Sequence, residues 1–317
     1  MTRRDTNSLG PEFADGAALR RTLNAHPSAC FLSAVQSFGI VSTEKQVERD
    51  IFAPFVLLFG LVAGSFNNVC IYRLPRGESV VWPPSHCPHC GHRLGFWDLI
   101  PVFSYLFLRG RCRYCRSKIT ARYAIVEAAT AAFFVGALLK VGVHWSLVPL
   151  FVMGCGLIIT FFIDLEHGIV PDATVLAVGG AGIVMDLVMT YGTHEVPAQG
   201  LIPRSVVGAL GAAGVFLAIK LIFTFVFRRE AMGWGDVTLA GAIGTFVSFG
   251  YPFVAFLLAS VAGGFVVGIS LRLTKVKGPW AEIPFGPFMV AAAFAMLFAG
   301  KTLTSLAIAL YGMPRVG

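Results

Sequence analysis

Long stretches of this chain carry almost no charge, and that constraint removes most folds from consideration. Eight apolar segments are legible, at about 51–72, 123–141, 146–163, 173–191, 205–227, 237–249, 251–271 and 285–310. Several reach the roughly 20 residues that a helix needs to cross a bilayer. Inside hydrocarbon every backbone N–H and C=O must find a partner within the protein, so such segments form helices. With 56% hydrophobic and 13% charged residues, and a mean hydropathy of +0.74, the chain reads as an all-α polytopic membrane protein of about eight transmembrane helices. The sixth segment is short, and it turns tightly into the seventh at Gly250-Tyr251-Pro252.

The first 50 residues differ. They are mixed polar, punctuated by Gly10-Pro11, Asp15-Gly16 and His26-Pro27, and show no sustained period, so a poorly ordered tail is expected. A signal peptide is the rival reading, for the apolar patch at 29–40. The basic residues lie well upstream of that patch, and no clear cleavage site follows it.

A net charge of +8 could suggest nucleic acid as a partner, but its distribution points to membrane orientation instead. Arg73, Arg76, Arg93, Arg109, Arg111, Arg113, Arg116, Lys118 and Arg122 share the loop after the first span, and Arg228, Arg229, Arg272, Lys275 and Lys277 fall on the same side. Basic residues collect in cytoplasmic loops, so that side is expected to be cytoplasmic. The chain then divides into a tail (1–50), a first transmembrane helix (51–72), a cytoplasmic loop (73–122) and a transmembrane core (123–317). The glycine-rich stretch 208–214 lies in no strand pattern and reads as a close helix-packing surface, not a nucleotide loop.

The loop carries Cys87-Pro88-His89-Cys90 and Cys112-Arg113-Tyr114-Cys115. Two such knuckles supply four thiolates at the spacing of a zinc ribbon, and four cysteine ligands leave no open position for a catalytic water. A structural zinc held by Cys87, Cys90, Cys112 and Cys115 is expected. His86, His89 and His92 flank the first knuckle as alternative ligands or solvated residues. A disulfide is disfavoured in a reducing compartment, and Cys30, Cys70 and Cys155 read as small apolar residues.

Two aspartates stand out from their apolar surroundings. Asp164 ends the run Leu157 to Ile163, where a helix C-terminus disfavours negative charge. Asp236 closes Met232-Gly233-Trp234-Gly235-Asp236 just before another apolar run, where it could equally cap a helix. Carboxylates at the edge of hydrocarbon are paired, neutralised or functional, and two close together can share one proton. That suits activation of water and protonation of a leaving amine, so the residues favour an intramembrane aspartyl protease. Asp172 sits where a helix N-cap belongs. Glu127 and Asp186 are read as interhelical hydrogen-bonding groups or substrate contacts.

With these motifs in place, the chain after residue 50 resembles the type IV prepilin leader peptidases. The resemblance rests on Gly64-Ser65-Phe66-Asn67-Asn68-Val69-Cys70-Ile71-Tyr72-Arg73-Leu74-Pro75, both knuckles, and Arg122-Tyr123-Ala124-Ile125-Val126-Glu127. The Asp164–Asp172 turn, the Gly-x-Gly-Asp segment ending at Asp236, and Pro284-Phe285-Gly286-Pro287 complete it. Trp234 stands where methionine is more usual, and Asn67-Asn68 where Leu-Asn is.

The resemblance implies that Asp164 and Asp236 are the catalytic pair of a bacterial inner-membrane enzyme acting on prepilins or pseudopilins. It would remove a basic leader at the cytoplasmic face, then methylate the new N-terminus with S-adenosylmethionine. The sequence shows no pocket for that cofactor; Glu78 is a candidate contributor. By charge, Glu166, Asp172 and Glu230 are candidates to hold the leader. Competing readings are a presenilin-like protease, a transporter using intramembrane acids, and a non-catalytic assembly factor.

Overall fold

The computed structural model describes residues 43–192, 203–228, 232–247, 251–273 and 284–311. Residues 1–42, and with them most of the expected tail, lie outside the described residues, as do Glu230, Lys275 and Lys277. Nine α-helices follow in order among the described residues: α1 (Thr43–Arg73), α2 (Phe103–Phe107), α3 (Arg122–Val141), α4 (Leu147–His167), α5 (Asp172–Gly192), α6 (Arg204–Phe227), α7 (Trp234–Gly244), α8 (Tyr251–Leu273) and α9 (Gly286–Tyr311). No strand forms among these residues. Two isolated antiparallel bridges, His86 with Arg93 and Arg111 with Lys118, lie in the loop between α1 and α3.

Each of the eight expected apolar segments contains a helix among the described residues, though the sixth is helical only to Gly244. Six helices (α1, α3, α4, α5, α6 and α9) are long and apolar enough to cross a membrane, and α8 carries a shorter apolar stretch at Pro252–Gly264. The chain is therefore an all-helical, multi-pass membrane protein. At 11 residues, α7 extends only about 17 Å at 1.5 Å per residue, short of the roughly 30 Å hydrocarbon layer. The first helix begins at Thr43, upstream of the expected Ile51. Five of the residues from 44 to 50 are polar good helix formers (Glu44, Lys45, Gln46, Glu48, Arg49), which extend a helix without adding an apolar period.

The Gly64 to Pro75 motif forms the seam between α1 and α3. A Cβ on Gly64 would lie 2.6 Å from Glu127 Cα, so the two backbones touch at a distance that only glycine permits. Beside it, Asn67 Nδ2 donates to Thr130 Oγ1 at 3.1 Å and Asn68 Nδ2 to the Tyr123 carbonyl at 3.0 Å. Buried amide N–H groups that donate across two helices fix their register. Gly208 likewise presses against the backbone of Gly244 and joins α6 to α7, as the small-residue stretch led one to expect.

The core is continuous around α4. Leu157, Ile163, Phe216, Leu239 and Met289 are fully buried within it, and Phe134 stacks on Phe151 with ring centroids 3.9 Å apart. Across the α4–α5 turn, the Thr160 and Thr174 hydroxyls lie 2.7 Å apart and hold that turn against the bundle.

Candidate active site and metal centre

Asp164 occupies the last turn of α4. The helix ends at Gly168, whose left-handed backbone (φ 64°) lets its N–H bond back to the Asp164 carbonyl at 2.8 Å. The Asp164 side chain is buried (4% exposed), and its Oδ2 has no hydrogen-bond partner. It lies against Gly286, the first residue of α9, where any Cβ would overlap the carboxylate. The α9 N-terminus thus turns its positive end toward Asp164, which offsets part of the unfavourable dipole of its own helix.

Asp236 sits in the first turn of α7, where Oδ2 accepts the Gly233 N–H at 3.1 Å. The expected capping role is therefore present and uses one oxygen. Gly235 packs on Val170, with a hypothetical Cβ only 2.8 Å from the valine Cβ, and this draws the start of α7 onto the α4–α5 turn. The consequence is electrostatic: the charge of Asp236 acts on Asp164. Two acids 72 positions apart in sequence are thereby carried to the end of the bundle where α4, α7 and α9 converge. Lys220 of α6 faces the start of α7, its Nζ 4.5 Å from the ring centroid of Trp234.

The other acids have structural work. Glu127 accepts the Val102 N–H at 2.7 Å, holding a β-branched residue at φ 61°, a conformation unfavourable without such support. Asp186 accepts the Ser205 N–H at 2.8 Å and so caps α6. Glu166 pairs with Arg122 at 2.5 Å, which corrects its expected availability to a basic leader. Asp172 is exposed and opens α5, where negative charge suits the helix N-terminus. Because Arg122 closes the loop and Glu166 follows Asp164 on α4, the loop and the acids share one end of the bundle.

The two knuckles fold alike. Cys87 N bonds to His92 O and Cys112 N to Ser117 O, both at 2.9 Å. Gly91 (φ 68°) and Arg116 (φ 59°) each take the left-handed conformation that closes the turn. Cys87, Cys90, Cys112 and Cys115 place their sulfurs within 4.8 Å of one another, with Cys87 and Cys115 at 3.8 Å. A tetrahedron of Zn–S bonds near 2.3 Å has edges of about 3.8 Å, so these residues fit the metal. The Ser117 hydroxyl, 3.1 Å from Cys115 Sγ, and the Ser117 N–H bring that thiol down to about 6. His92 instead stacks on Tyr114, centroids 3.6 Å apart, and the flanking histidines lie outside the cluster. Asp98 accepts from Arg113 Nε at 2.7 Å and ties the segment between the knuckles to the second of them.

Between the knuckles and the α1–α3 seam lies a cleft of about 280 Å³, lined by Asn68, Tyr72, Asp98, Tyr105, Tyr123 and Glu127 among others. Asn68 Oδ1 is buried and has no hydrogen-bond partner. Nothing in the sequence pointed to this cleft, since its walls come from four separate segments. Glu78, the sequence candidate, is exposed and lies outside it.

Comparison with known proteins agrees with this architecture. The profile of the bacterial peptidase A24 N-terminal domain matches residues 58–141, and that of the type IV leader peptidase family matches residues 151–268. A prepilin leader peptidase/N-methyltransferase of Burkholderia pseudomallei (strain K96243) is 32% identical over 272 residues, covering 78% of this chain and 85% of that protein. A protein of the same name from Myxococcus xanthus (strain DK1622) is 35% identical over 232 residues, covering 73% and 67%. Another, from Aeromonas hydrophila, is 31% identical over 278 residues, covering 80% and 93%. No solved structure matches. The chain belongs to the type IV leader peptidase family.

The contact between Gly286 and Asp164 sets a test. A Gly286→Ala methyl must displace the carboxylate, so peptidase activity should fall at least about tenfold while the purified protein keeps its wild-type melting profile. Full activity in the variant would show that Asp164 need not sit against α9.

Proposed function

We propose that the chain is a membrane aspartyl endopeptidase and N-methyltransferase, removing the leader of type IV prepilins or pseudopilins and methylating the new N-terminal amine. The observation that supports the peptidase half is that Asp164 and Asp236 lie at one end of the bundle, the first with an orphaned buried oxygen and the second in a helix cap. One carboxylate, ionised, takes a proton from water; the other, protonated, polarises the scissile carbonyl. The excess of arginine and lysine in the 73–122 loop supports a cytoplasmic site in the bacterial inner membrane. Asp172, exposed beside the acids, is suited to meet a basic leader.

For the second half, S-adenosylmethionine would supply an electrophilic methyl group. The cleft beside the knuckles is proposed to hold it: Asn68 Oδ1 offers an unused acceptor, the tyrosines offer faces for an adenine, and Asp98 and Glu127 favour a cationic ligand. Zinc on the four cysteines would shape that cleft, two of whose walls are Cys87 and Cys112, without taking part in hydrolysis.

The decisive experiment is mass spectrometry of a prepilin incubated with detergent-solubilised enzyme and S-adenosylmethionine. Wild type should yield leader loss plus one methyl group. Asp164→Ala and Asp236→Ala should each lose cleavage by about a thousandfold, and cleavage surviving either change would remove that residue from the pair. Metal analysis should find about one zinc per chain. Cys112→Ser with Cys115→Ser should lose the metal and methylation but retain cleavage; equal loss of both activities would contradict separate sites. Asn68→Leu should likewise depress methylation selectively, seen as cleaved but unmethylated product.

A further inference from the structure

A lysine is out of place inside α6. Lys220 lies in an apolar run within a membrane-crossing helix, is only 5% exposed, and its Nζ has no hydrogen-bond partner. An intramembrane ammonium is costly unless something compensates it. Snorkelling toward headgroups is the usual relief, but here the head is buried. It lies 4.5 Å from the ring centroid of Trp234, the first residue of α7. A helix N-terminus repels a cation, so this location adds to the cost. Two features offset it: the π face of Trp234 and the carboxylate of Asp236, two residues further on, with which Lys220 interacts electrostatically.

We infer that Lys220, seated on Trp234, is a positioning residue that keeps Asp236 as the ionised member of the acid pair and leaves the proton on Asp164. The inference rests on the reading of these two aspartates as the catalytic pair, and it assigns their roles. Asp236 has the cation on one side and the Gly233 N–H on the other, both favouring its charged form. Asp164 has one buried oxygen without a partner and no facing cation, only the Gly286 N–H at the start of α9, a site better suited to a neutral carboxyl than that of Asp236.

Asp236 then takes a proton from water as the water oxygen bonds to the scissile carbonyl carbon, and Asp164 gives its proton to the carbonyl oxygen. On collapse the C–N bond breaks, the proton on Asp236 passes to the leaving amine, and a hydroxyl proton of the tetrahedral species returns to Asp164. Both carboxyl groups end as they began.

Among the described residues few other charges bear on Asp236. From α4, Glu166 is tied to Arg122 and His167 is exposed. From α5, Asp172 is exposed and Asp186 caps α6. From α6, Arg204 and Arg228 lie at the helix ends. The nearby terminus of α9 contributes no side-chain charge.

The test is the pH profile of prepilin cleavage by wild type, Lys220→Met and Lys220→Arg, with methylation of an already cleaved pilin as the measure of intact folding. Without the cation Asp236 holds its proton to higher pH. The acid limb of the Lys220→Met profile should therefore move up by about one unit, with cleavage down about tenfold below the limb and recovering above it. Lys220→Arg should keep the wild-type limb. A uniform loss at every pH in Lys220→Met, or no change, would overturn the inference. If Lys220→Met fails to methylate, Lys220→Gln, neutral but polar, carries the same expectation. Asp164→Asn and Asp236→Asn in parallel separate the two ideas. Cleavage by either defeats the pair itself, whereas loss in both with an unmoved limb in the Lys220 variants defeats only the role of Lys220.

Discussion

A carboxylate inside a helical bundle has lost its water, and the arrangement of this site follows from what replaces that water at Asp164. The replacement is the first turn of α9, which can come close only because residue 286 has no side chain. This contact fixes the end of α4 against the start of α9. The α4–α5 turn that follows is pinned by Thr160 and Thr174, and Gly235 packs α7 onto the same turn through Val170. Three helix ends are thereby brought together in a region where backbone dipoles, not solvent, set the local field. The shortness of α7 serves the same end, because a helix that stops within the bundle can present its first turn, with Asp236, to the convergence point.

The loop between α1 and α3 is built on a separate principle. Its residues include little that could form a core of their own, and exposed Trp82, Phe96, Trp97 and Phe107 show how little apolar surface it buries. Four sulfurs at metal-binding distance replace a hydrophobic core as the organising centre. The loop meets the acid end of the bundle through Arg122 and Glu166. Cleft and carboxylates therefore share one end of the molecule. An amine freed at the acids would emerge on the same side as the groups proposed to methylate it.

Much of this was legible in the chain. Uncharged runs of about 20 residues have one stable form in lipid, so the helices could be read directly. Cysteines with two residues between them, twice, have few uses outside metal binding, and Asp164 at the end of an apolar run had no capping role to explain it. Other features were hidden for definable reasons. Thr43 to Asp50 looked like tail because a solvated helix end has no apolar period. Glu166 looked free because its partner Arg122 lies 44 residues away. That Lys220, within the apolar run 205–227, lies over Trp234 was set by packing alone, since the two are 14 positions apart on different helices.

By itself, then, the sequence determined which segments must be helical, which residues could bind metal and which acids were unexplained, since each depends on local composition or spacing. The tertiary structure decided which groups meet: Asp164 with Gly286, Lys220 with Trp234, Asn68 with an open cleft. Such pairings depend on helix crossing points and on which small residues allow backbones to touch. Interactions between charges change over a few ångströms of separation, a scale that no periodicity in one dimension can specify.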